Sequence, residues 1–230
     1  MIFPLKELND YIQSFNQKNG LVSIWGEFGV GKTMFTLQTA LYNCELADLV
    51  IYVYTKPNLP LKQINTISHK FKGKKMDNFV LYKILNFSEL YDFILDLEHI
   101  LINLKNDGRK ASFIVIIDSM TNLYQIELRK KSKNKNVILN YKLNLILATL
   151  SYLKLHYSVD ILIVNYLRRL KQENQTIEVQ SGGKVMTFWV GCSIKIERDK
   201  KLNYRKFILS TNSDTKKIRI LSRIAEFGFF

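Results

Sequence analysis

The stretch Gly26-Glu27-Phe28-Gly29-Val30-Gly31-Lys32-Thr33 decides the fold class of this 230-residue chain. It fits the pattern G-x-x-x-x-G-K-[ST] at every fixed position, and it lies between an apolar run, residues 21–25, and a helical stretch beginning near Lys32. Glycine allows successive backbone N–H groups to point into one concave turn. Such a turn, followed by a helix N-terminus, binds phosphate groups. The sequence therefore predicts a nucleotide-binding P-loop at residues 26–33.

Two side chains of this P-loop have separate expected roles. Lys32 is expected to reach the β and γ phosphates of a nucleoside triphosphate, and the Thr33 hydroxyl is expected to bind Mg²⁺. The expected cofactors are therefore ATP and Mg²⁺. The residues expected to contact the nucleotide are Gly26, Glu27, Phe28, Gly29, Val30, Gly31, Lys32 and Thr33.

Asp118 is the second candidate for this site, because it ends the apolar run of residues 113–117. A run this apolar is typical of a parallel strand that is covered on both faces. An aspartate at the C-terminal edge of the sheet, beside Thr33, would hold Mg²⁺ through its waters. Many buried strands end in aspartate, so the motif is weak alone. Together with the P-loop, it predicts Asp118 as a metal ligand and, with Lys32, as a catalytic residue.

The composition points to a polyanionic partner. Lysine and arginine number 34 against 20 aspartate and glutamate residues, which gives a formal charge of +14. Such an excess favours nucleic acid or an anionic membrane face, and charge alone does not choose between them. Cys44 and Cys192 occur without a C-x-x-C motif or a histidine cluster, so no disulfide or metal cluster is expected. Without a signal peptide or a long apolar run, the expected location is the cytoplasm, away from membranes.

The order of predicted elements is βα units first and antiparallel strands last. The predicted helices are residues 5–15, 32–45, 60–69, 88–104 and 137–157. The predicted strands are residues 21–25, 49–54, 79–84, 112–117, 161–165, 190–197, 204–210 and 217–221. A basic loop is expected at 129–136 and a mobile loop at 166–184. The expected fold is an α/β P-loop NTPase core in one domain, residues 1–230, with a mostly parallel central sheet flanked by helices and C-terminal antiparallel strands.

Several segments together resemble the RecA/RadA recombinase family. Residues 26–33 look like the P-loop of its archaeal RadA branch. Residues 117–124, Ile-Asp-Ser-Met-Thr-Asn-Leu-Tyr, are similar to the family's apolar-Asp-Ser-x-Thr-x-Leu-Tyr signature. Residues 163–165 resemble the strand that ends in Thr-Asn-Gln, and Gly182-Gly183 matches the glycine pair after its second DNA loop. Residues 218–228 resemble the closing strand and its glycine.

This resemblance runs from about residue 5 to residue 230 and implies a RecA-like ATPase core. Because only residues 1–20 precede the first strand, we expect no N-terminal helical DNA-binding domain, as in the short RadB-like paralogues. Two positions depart from the family pattern. Lys56, in Tyr54-Thr55-Lys56, stands where the family has the glutamate that positions the attacking water, and Tyr166 stands where it has a glutamine thought to sense the γ phosphate.

Two basic segments match the positions of the family's DNA-binding loops. A run of basic side chains neutralises phosphates and gives sequence-tolerant, salt-sensitive binding. The alternative is that both segments are simply solvated charged loops. The residues expected to contact DNA, with single-stranded DNA favoured, are Arg129, Lys130, Lys131, Lys133, Lys135, Arg168, Arg169 and Lys171.

The resemblance implies an ATP-binding recombinase paralogue that binds DNA and assists homologous recombination and repair, with a principal recombinase or another paralogue as protein partner. Because protonated Lys56 cannot act as a base, ATP hydrolysis is expected to be weak or absent, Mg²⁺-dependent and open to stimulation by DNA. An alternative is a non-catalytic ATP-binding regulator or scaffold on the same core, without direct DNA binding. A KaiC-like signalling ATPase is less favoured, because no glutamate pair follows the second strand.

Overall fold

The computed structural model describes residues 1–14, 20–69, 76–105, 112–130, 133–172, 175–211 and 218–230. The helices are α1 (Lys6–Ser14), α2 (Lys32–Asn43), α3 (Leu61–His69), α4 (Phe87–Lys105), α5 (Met120–Lys130), α6 (Lys133–His156) and α7 (Gly183–Trp189). The strands are β1 (Leu21–Gly26), β2 (Leu49–Tyr54), β3 (Phe79–Lys83), β4 (Phe113–Asp118), β5 (Val159–Gln172), β6 (Gln175–Gln180), β7 (Val190–Arg198), β8 (Tyr204–Thr211), β9 (Ile218–Ala225) and β10 (Gly228–Phe229).

The strands of the described residues form one sheet in the order β10-β9-β8-β7-β1-β5-β4-β2-β3, with β6 paired to β5. Neighbours from β7 to β3 run parallel, whereas the pairs from β7 to β10 and the pair β5–β6 are antiparallel. The predicted α/β class, with a mostly parallel sheet and C-terminal antiparallel strands, is confirmed. The C-terminal ends of β1, β4 and β2 meet at one edge, where open α/β sheets bind ligands.

Alternate side chains of the parallel strands enter two separate cores, one on each face of the sheet. On β4, Ile114 and Ile116 pack in the core that contains α1 and α2. Val115 and Ile117 pack in the core that contains α4, α5 and α6. Because side chains alternate along a strand, a strand covered on both faces must be apolar throughout. This arrangement carries Asp118, the last residue of β4, to the end of a fully buried strand.

The C-terminal strands close over the helix that follows the P-loop. The ring of Phe35 in α2 lies 5.1 Å from that of Phe207 and 5.4 Å from that of Phe229, centroid to centroid. Buried Gln38 accepts a hydrogen bond from the Phe229 N–H at 2.7 Å and donates one to the Phe229 carbonyl at 3.0 Å. Gly228 has a φ of +116°, and a Cβ there would lie 2.2 Å from Gln38 Oε1, so this position requires glycine.

Gln38→Ala is expected to lower the free energy of unfolding by about 1–3 kcal/mol, because it leaves buried polar groups of Phe229 without partners. Chemical denaturation of the purified protein measures this change. The matched control is Gln175→Ala, which removes an exposed glutamine of β6 and should change the value by less than about 0.5 kcal/mol. Equal losses in both variants would contradict the stabilising role of Gln38.

The predicted loop at residues 129–136 is wrong. Helix α5 continues to Lys130, and α6 begins at Lys133, so most of the segment is helical. The sequence analysis did not predict helix α5, although Met120, Leu123 and Tyr124 have helical spacing. Residues three and four positions apart share a side of a helix. The buried residues of α5 are Met120, Thr121, Leu123 and Tyr124. Residues 131 and 132 lie outside the described residues.

The predicted mobile loop at residues 166–184 is also wrong. Strand β5 runs on past residue 166 to Gln172 and pairs antiparallel with β6, so that Arg169 stands opposite Glu178. Helix α7 then begins at Gly183. The residues around Ile177 and Val179 alternate polar and apolar, which is typical of a strand with one exposed face. A polar, glycine-bearing composition is typical of a loop, which is why the sequence alone favours one here.

Within the described ranges, no helix is both long and apolar enough to cross a membrane. The same residues contain no group of three or more His, Cys, Asp or Glu side chains that could hold a metal ion. Cys44 and Cys192 are free and buried, and burial raises the pKa of both thiols to about 11. Such thiols remain protonated near neutral pH and act as small apolar core residues.

Candidate nucleotide site

The P-loop connects β1 to α2 in a conformation that depends on its glycines. Gly31, the N-cap residue of α2, has a φ of +100°. A Cβ on Gly31 would lie 2.8 Å from a side-chain carbon of Ile224 and 2.9 Å from the ring of Phe229. Conformation and packing therefore both require glycine. The first N–H groups of a helix have no partner within it, so the N-terminus of α2 is suited to hold phosphate oxygens.

Lys32 is folded back onto the P-loop rather than exposed. Its side chain is buried, and its ammonium donates hydrogen bonds to the carbonyls of Gly26 at 2.8 Å and Glu27 at 2.5 Å. Burial, followed by repulsion from Lys56, lowers the pKa of Lys32 to about 8. To contact a phosphate, the ammonium would exchange these carbonyl acceptors for phosphate oxygens.

Asp118 is fully buried at the end of β4, next to the end of β2. Its Oδ2 accepts hydrogen bonds from the Thr33 hydroxyl at 2.6 Å and from the Tyr52 hydroxyl at 3.2 Å. Tyr52 also exchanges a hydrogen bond with Thr36 at 2.8 Å. Burial and then the Asp118 charge raise the pKa of Tyr52 well above its ordinary value, so Tyr52 stays a neutral donor.

Lys56 reaches the same pair of residues from the turn after β2. Its ammonium donates to Thr33 Oγ1 at 2.7 Å and to Asp118 Oδ1 at 2.8 Å. It also lies 5.3 Å from the centroid of the Tyr54 ring. The structure thus brings together Lys32, Thr33 and Asp118, the residues that the sequence predicted as catalytic or metal-binding, and places Lys56 beside them.

A cavity of about 510 Å³ opens above these groups. Its size falls within the range of small-molecule sites. The P-loop and the N-terminus of α2 form one wall, and the turn after β2 forms another. The residues that line it are Phe28, Gly29, Gly31, Lys32, Thr33, Met34, Tyr54, Lys56, Asn58, Leu59, Pro60, Gln63, Tyr166 and Ile224.

Thr33 and Asp118 supply the hydroxyl and carboxylate oxygens that Mg²⁺ prefers. The Lys56 ammonium, however, is within hydrogen-bond distance of both residues. Mg²⁺ binds oxygen at about 2.0–2.1 Å and carries two positive charges, so it cannot share this space with an ammonium. The oxygen atoms of Thr33 and Asp118 suit a magnesium ion, but the Lys56 ammonium occupies space that the ion would need.

Two other carboxylates that could replace the absent glutamate are paired or placed elsewhere. Glu27 of the P-loop pairs with Arg169 of the β5–β6 hairpin. Glu45 follows the C-terminal end of α2, about 18 Å from the start of that helix at a rise of 1.5 Å per residue. Tyr166, in place of the family's glutamine, lies with its ring centroid 5.4 Å from the Lys32 ammonium.

A second cavity, of about 790 Å³, lies between α5, the β5–β6 hairpin and the start of α7. It brings together basic residues from both predicted DNA-binding segments. The basic residues that line it are Arg129, Arg168, Arg169 and Lys184. The sequence analysis did not predict Lys184 as a DNA-binding residue. Its place directly after Gly182-Gly183, the pair that follows the family's second DNA loop, could have indicated it.

The other predicted DNA-binding residues that the structure describes lie on α5, α6 and β5. Lys130 is exposed at the end of α5, where its ammonium lies 3.7 Å from a Glu127 oxygen. Lys133 and Lys135 belong to the first turn of α6, and Lys171 is exposed on β5. Lys131 lies outside the described residues.

Arg169 links the hairpin to the P-loop through ion pairs. Its guanidinium contacts the carboxylate of Glu27 and, at 3.1 Å, that of Glu178. Lys195 of β7 also pairs with Glu178, at 2.8 Å, and the hydrogen bond from Lys195 lowers the pKa of the Glu178 carboxyl. A phosphate that binds Arg169 would compete with these carboxylates, so Arg129 and Arg168 are better placed to contribute to anion binding.

The chain is similar to proteins named DNA repair and recombination protein RadB. The protein from Methanococcus maripaludis is 29% identical over 209 residues, 91% of this chain and 89% of that protein. The protein from Methanosphaera stadtmanae is 29% identical over 79% of this chain and 74% of its own. That from Methanobrevibacter smithii is 23% identical over 82% and 77%. No protein-family model matches. The expected resemblance to the RecA/RadA recombinase family and its RadB-like paralogues is confirmed.

Proposed function

We propose that this chain, which resembles RadB proteins of the RecA/RadA family over 91% of its length, is an ATP-binding recombinase paralogue. In this proposal it forms one RecA-like ATPase core over residues 1–230, binds DNA, and assists a principal recombinase or another paralogue in homologous recombination and repair. It hydrolyses ATP weakly or not at all.

One observation carries the nucleotide part of the proposal. Thr33 of the P-loop and Asp118 of β4 are far apart in sequence but lie 2.6 Å apart, oxygen to oxygen, and Thr33 lines the 510 Å³ cavity. Lys32 and the N-terminus of α2 lie at the same edge of the sheet, where a triphosphate needs a cation and free N–H groups. A chance glycine-rich turn would have no reason to meet a buried aspartate there.

The DNA part of the proposal rests on charge and on position. The chain has a formal charge of +14, and Arg129 and Arg168 line one open cavity. Both predicted segments therefore contribute to a single basic surface, although neither is the loop that was expected. A surface of this kind supports phosphate binding without base recognition.

Equilibrium binding tests both parts with the purified protein. A fluorescent ATP analogue, displaced by unlabelled ATP, measures nucleotide affinity, and fluorescence anisotropy of a labelled single-stranded oligonucleotide measures DNA affinity. The proposal expects both ligands to bind and expects DNA affinity to fall with rising salt. Absence of nucleotide binding would refute the P-loop assignment.

The double variant Arg129→Gln/Arg168→Gln is expected to weaken DNA binding and to flatten its salt dependence. Each phosphate contact that is lost reduces the slope of log affinity against log salt by roughly 0.7, so the double variant should lose about 1.4. Anisotropy titrations at several salt concentrations measure the slope. Lys6→Gln/Lys62→Gln, which removes two exposed charges from α1 and α3, is the matched control. A slope that falls equally in both double variants would assign the effect to net charge alone.

The second candidate function is a non-catalytic regulator or scaffold that uses ATP to stabilise itself or a protein interface. The ion pairs of Arg169 with Glu27 and Glu178 favour this second function, because Arg169 is then already paired and less available to a DNA phosphate. Salt-sensitive binding of single-stranded DNA separates the two functions: the scaffold requires nucleotide binding without it.

A further inference from the structure

The ammonium of Lys56 contacts both the P-loop hydroxyl and the buried carboxylate, which are themselves hydrogen-bonded at 2.6 Å. It lies 2.7 Å from Thr33 Oγ1 and 2.8 Å from Asp118 Oδ1. The sequence predicted the Thr33 hydroxyl to bind Mg²⁺ and Asp118 to hold the ion through its waters. A cation of the protein itself therefore stands where an external one was expected.

The backbone around Lys56 holds it in this position. The N–H of Thr55 donates to the Asp118 carbonyl at 2.9 Å. The Thr55 hydroxyl donates to the Ser119 carbonyl at 2.9 Å and accepts from the Ser119 N–H at 2.8 Å. The side chain of Lys56 is itself only 22% exposed. Because the turn after β2 is joined to the end of β4 in this way, Lys56 is not a freely moving surface lysine.

The chemistry of an ammonium allows it to take over part of the role of a metal ion here. It carries three hydrogen-bond donors, of which the contacts with Thr33 and Asp118 use two. Lys56 lines the cavity that the P-loop and α2 border, so a phosphate oxygen bound there can accept a hydrogen bond from the remaining donor. The positive charge also neutralises Asp118, which would otherwise be a buried carboxylate close to a triphosphate.

We infer that Lys56 replaces the divalent cation of this site, so that the protein binds a nucleoside triphosphate without Mg²⁺. The inference rests on the proposed nucleotide binding and deepens it. Lys56 bridges Asp118 and Thr33 to the phosphates, and Lys32 contacts the phosphates from the P-loop. A divalent ion would enter only if the Lys56 side chain left.

The experiment compares ATP affinity, by isothermal titration calorimetry, in excess EDTA and in excess MgCl₂. For the parent protein the two affinities should agree within about twofold. Lys56→Met keeps most of the length of the unbranched side chain but removes the charge. In EDTA it should lose at least about tenfold in affinity, the usual effect of removing one hydrogen bond to a charged group, and MgCl₂ should restore binding. Lys62→Met, on the exposed face of α3, is the matched control and should behave as the parent.

Three results are decisive. Parent binding that requires MgCl₂ would overturn the inference and leave the proposed nucleotide binding intact. No ATP binding under either condition would overturn the proposed function, and the inference with it. Equal affinity for ATP in EDTA in the parent and in Lys56→Met would show that Lys56 does not contribute to nucleotide binding, and would overturn the inference. The parent comparison needs no variant, so it decides the matter even if Lys56→Met does not fold.

Discussion

Lys32→Ala is expected to weaken ATP binding by at least about 10²-fold. The ammonium can exchange its two backbone acceptors, the Gly26 and Glu27 carbonyls, for phosphate oxygens. Two charge-assisted hydrogen bonds, at about 1.5–3 kcal/mol each, account for this loss. Calorimetric titration with ATP measures it, under the metal condition in which the parent binds best.

The same variant should remain folded. Burial lowers the pKa of Lys32 to about 8, below its value in an unfolded chain, so the charged side chain costs free energy in the folded state. Removing that cost offsets the lost hydrogen bonds, and thermal unfolding should change little. Lys62→Ala, at an exposed position of α3, controls for the loss of one positive charge. ATP affinity equal to the parent's in Lys32→Ala would refute the nucleotide site.

Lys56→Glu is expected to raise ATP turnover by about 10²–10⁴-fold, the usual contribution of general-base catalysis. The parent should turn over ATP well below about 1 s⁻¹, because a protonated lysine cannot accept a proton from water. Glutamate at this position restores the residue that the family resemblance implies, on the turn that brings Lys56 to Thr33 and Asp118. Phosphate release in MgCl₂, with and without single-stranded DNA, measures the rate.

Lys56→Gln is the matched control, because it removes the ammonium without supplying a base. If both variants gain equally, the space that the ammonium vacates matters and the carboxylate does not. A parent that already turns over ATP at about 1 s⁻¹ or faster would show that another group activates water. Glu27 would then be the first residue to substitute, although its carboxylate pairs with Arg169 in the structure.

The central part of the fold could be predicted because each of its signals lies within a short stretch of sequence. Residues 26–33 combine a strand, a glycine turn and a helix N-terminus within one short stretch. The strands β2 and β4 were predicted almost to their ends, because strands covered on both faces must be apolar throughout. The meeting of Asp118 with Thr33 then follows from parallel pairing, which aligns the C-terminal ends of neighbouring strands.

The segments that the sequence predicted wrongly are those in which tertiary contacts outweigh local composition. Arg168 and Arg169 look like loop residues, yet cross-strand pairing with β6 and the ion pair with Glu178 favour an extended hairpin. Tyr52 was not assigned to the site, because an aromatic residue inside an apolar strand gives no sign of the carboxylate beside it. The precise position of the Lys56 ammonium depends on the hydrogen bonds of Thr55, which composition cannot predict.

The position of β1 in the sheet also constrains how the protein is made. Its neighbours are β5 and β7, so Val22 pairs with Leu162 and Cys192. Pairing between strands so far apart in sequence is slow, because the chain loses conformational entropy on closing the long loop before the strand contacts stabilise it. During synthesis the P-loop leaves the ribosome well before either neighbour, and both edges of β1 stay unpaired. A nascent chain that stops before Val159 already contains every residue proposed to hold the nucleotide phosphates, and β2 can pair with β3 and β4, yet the strand that carries the P-loop has neither of its neighbours.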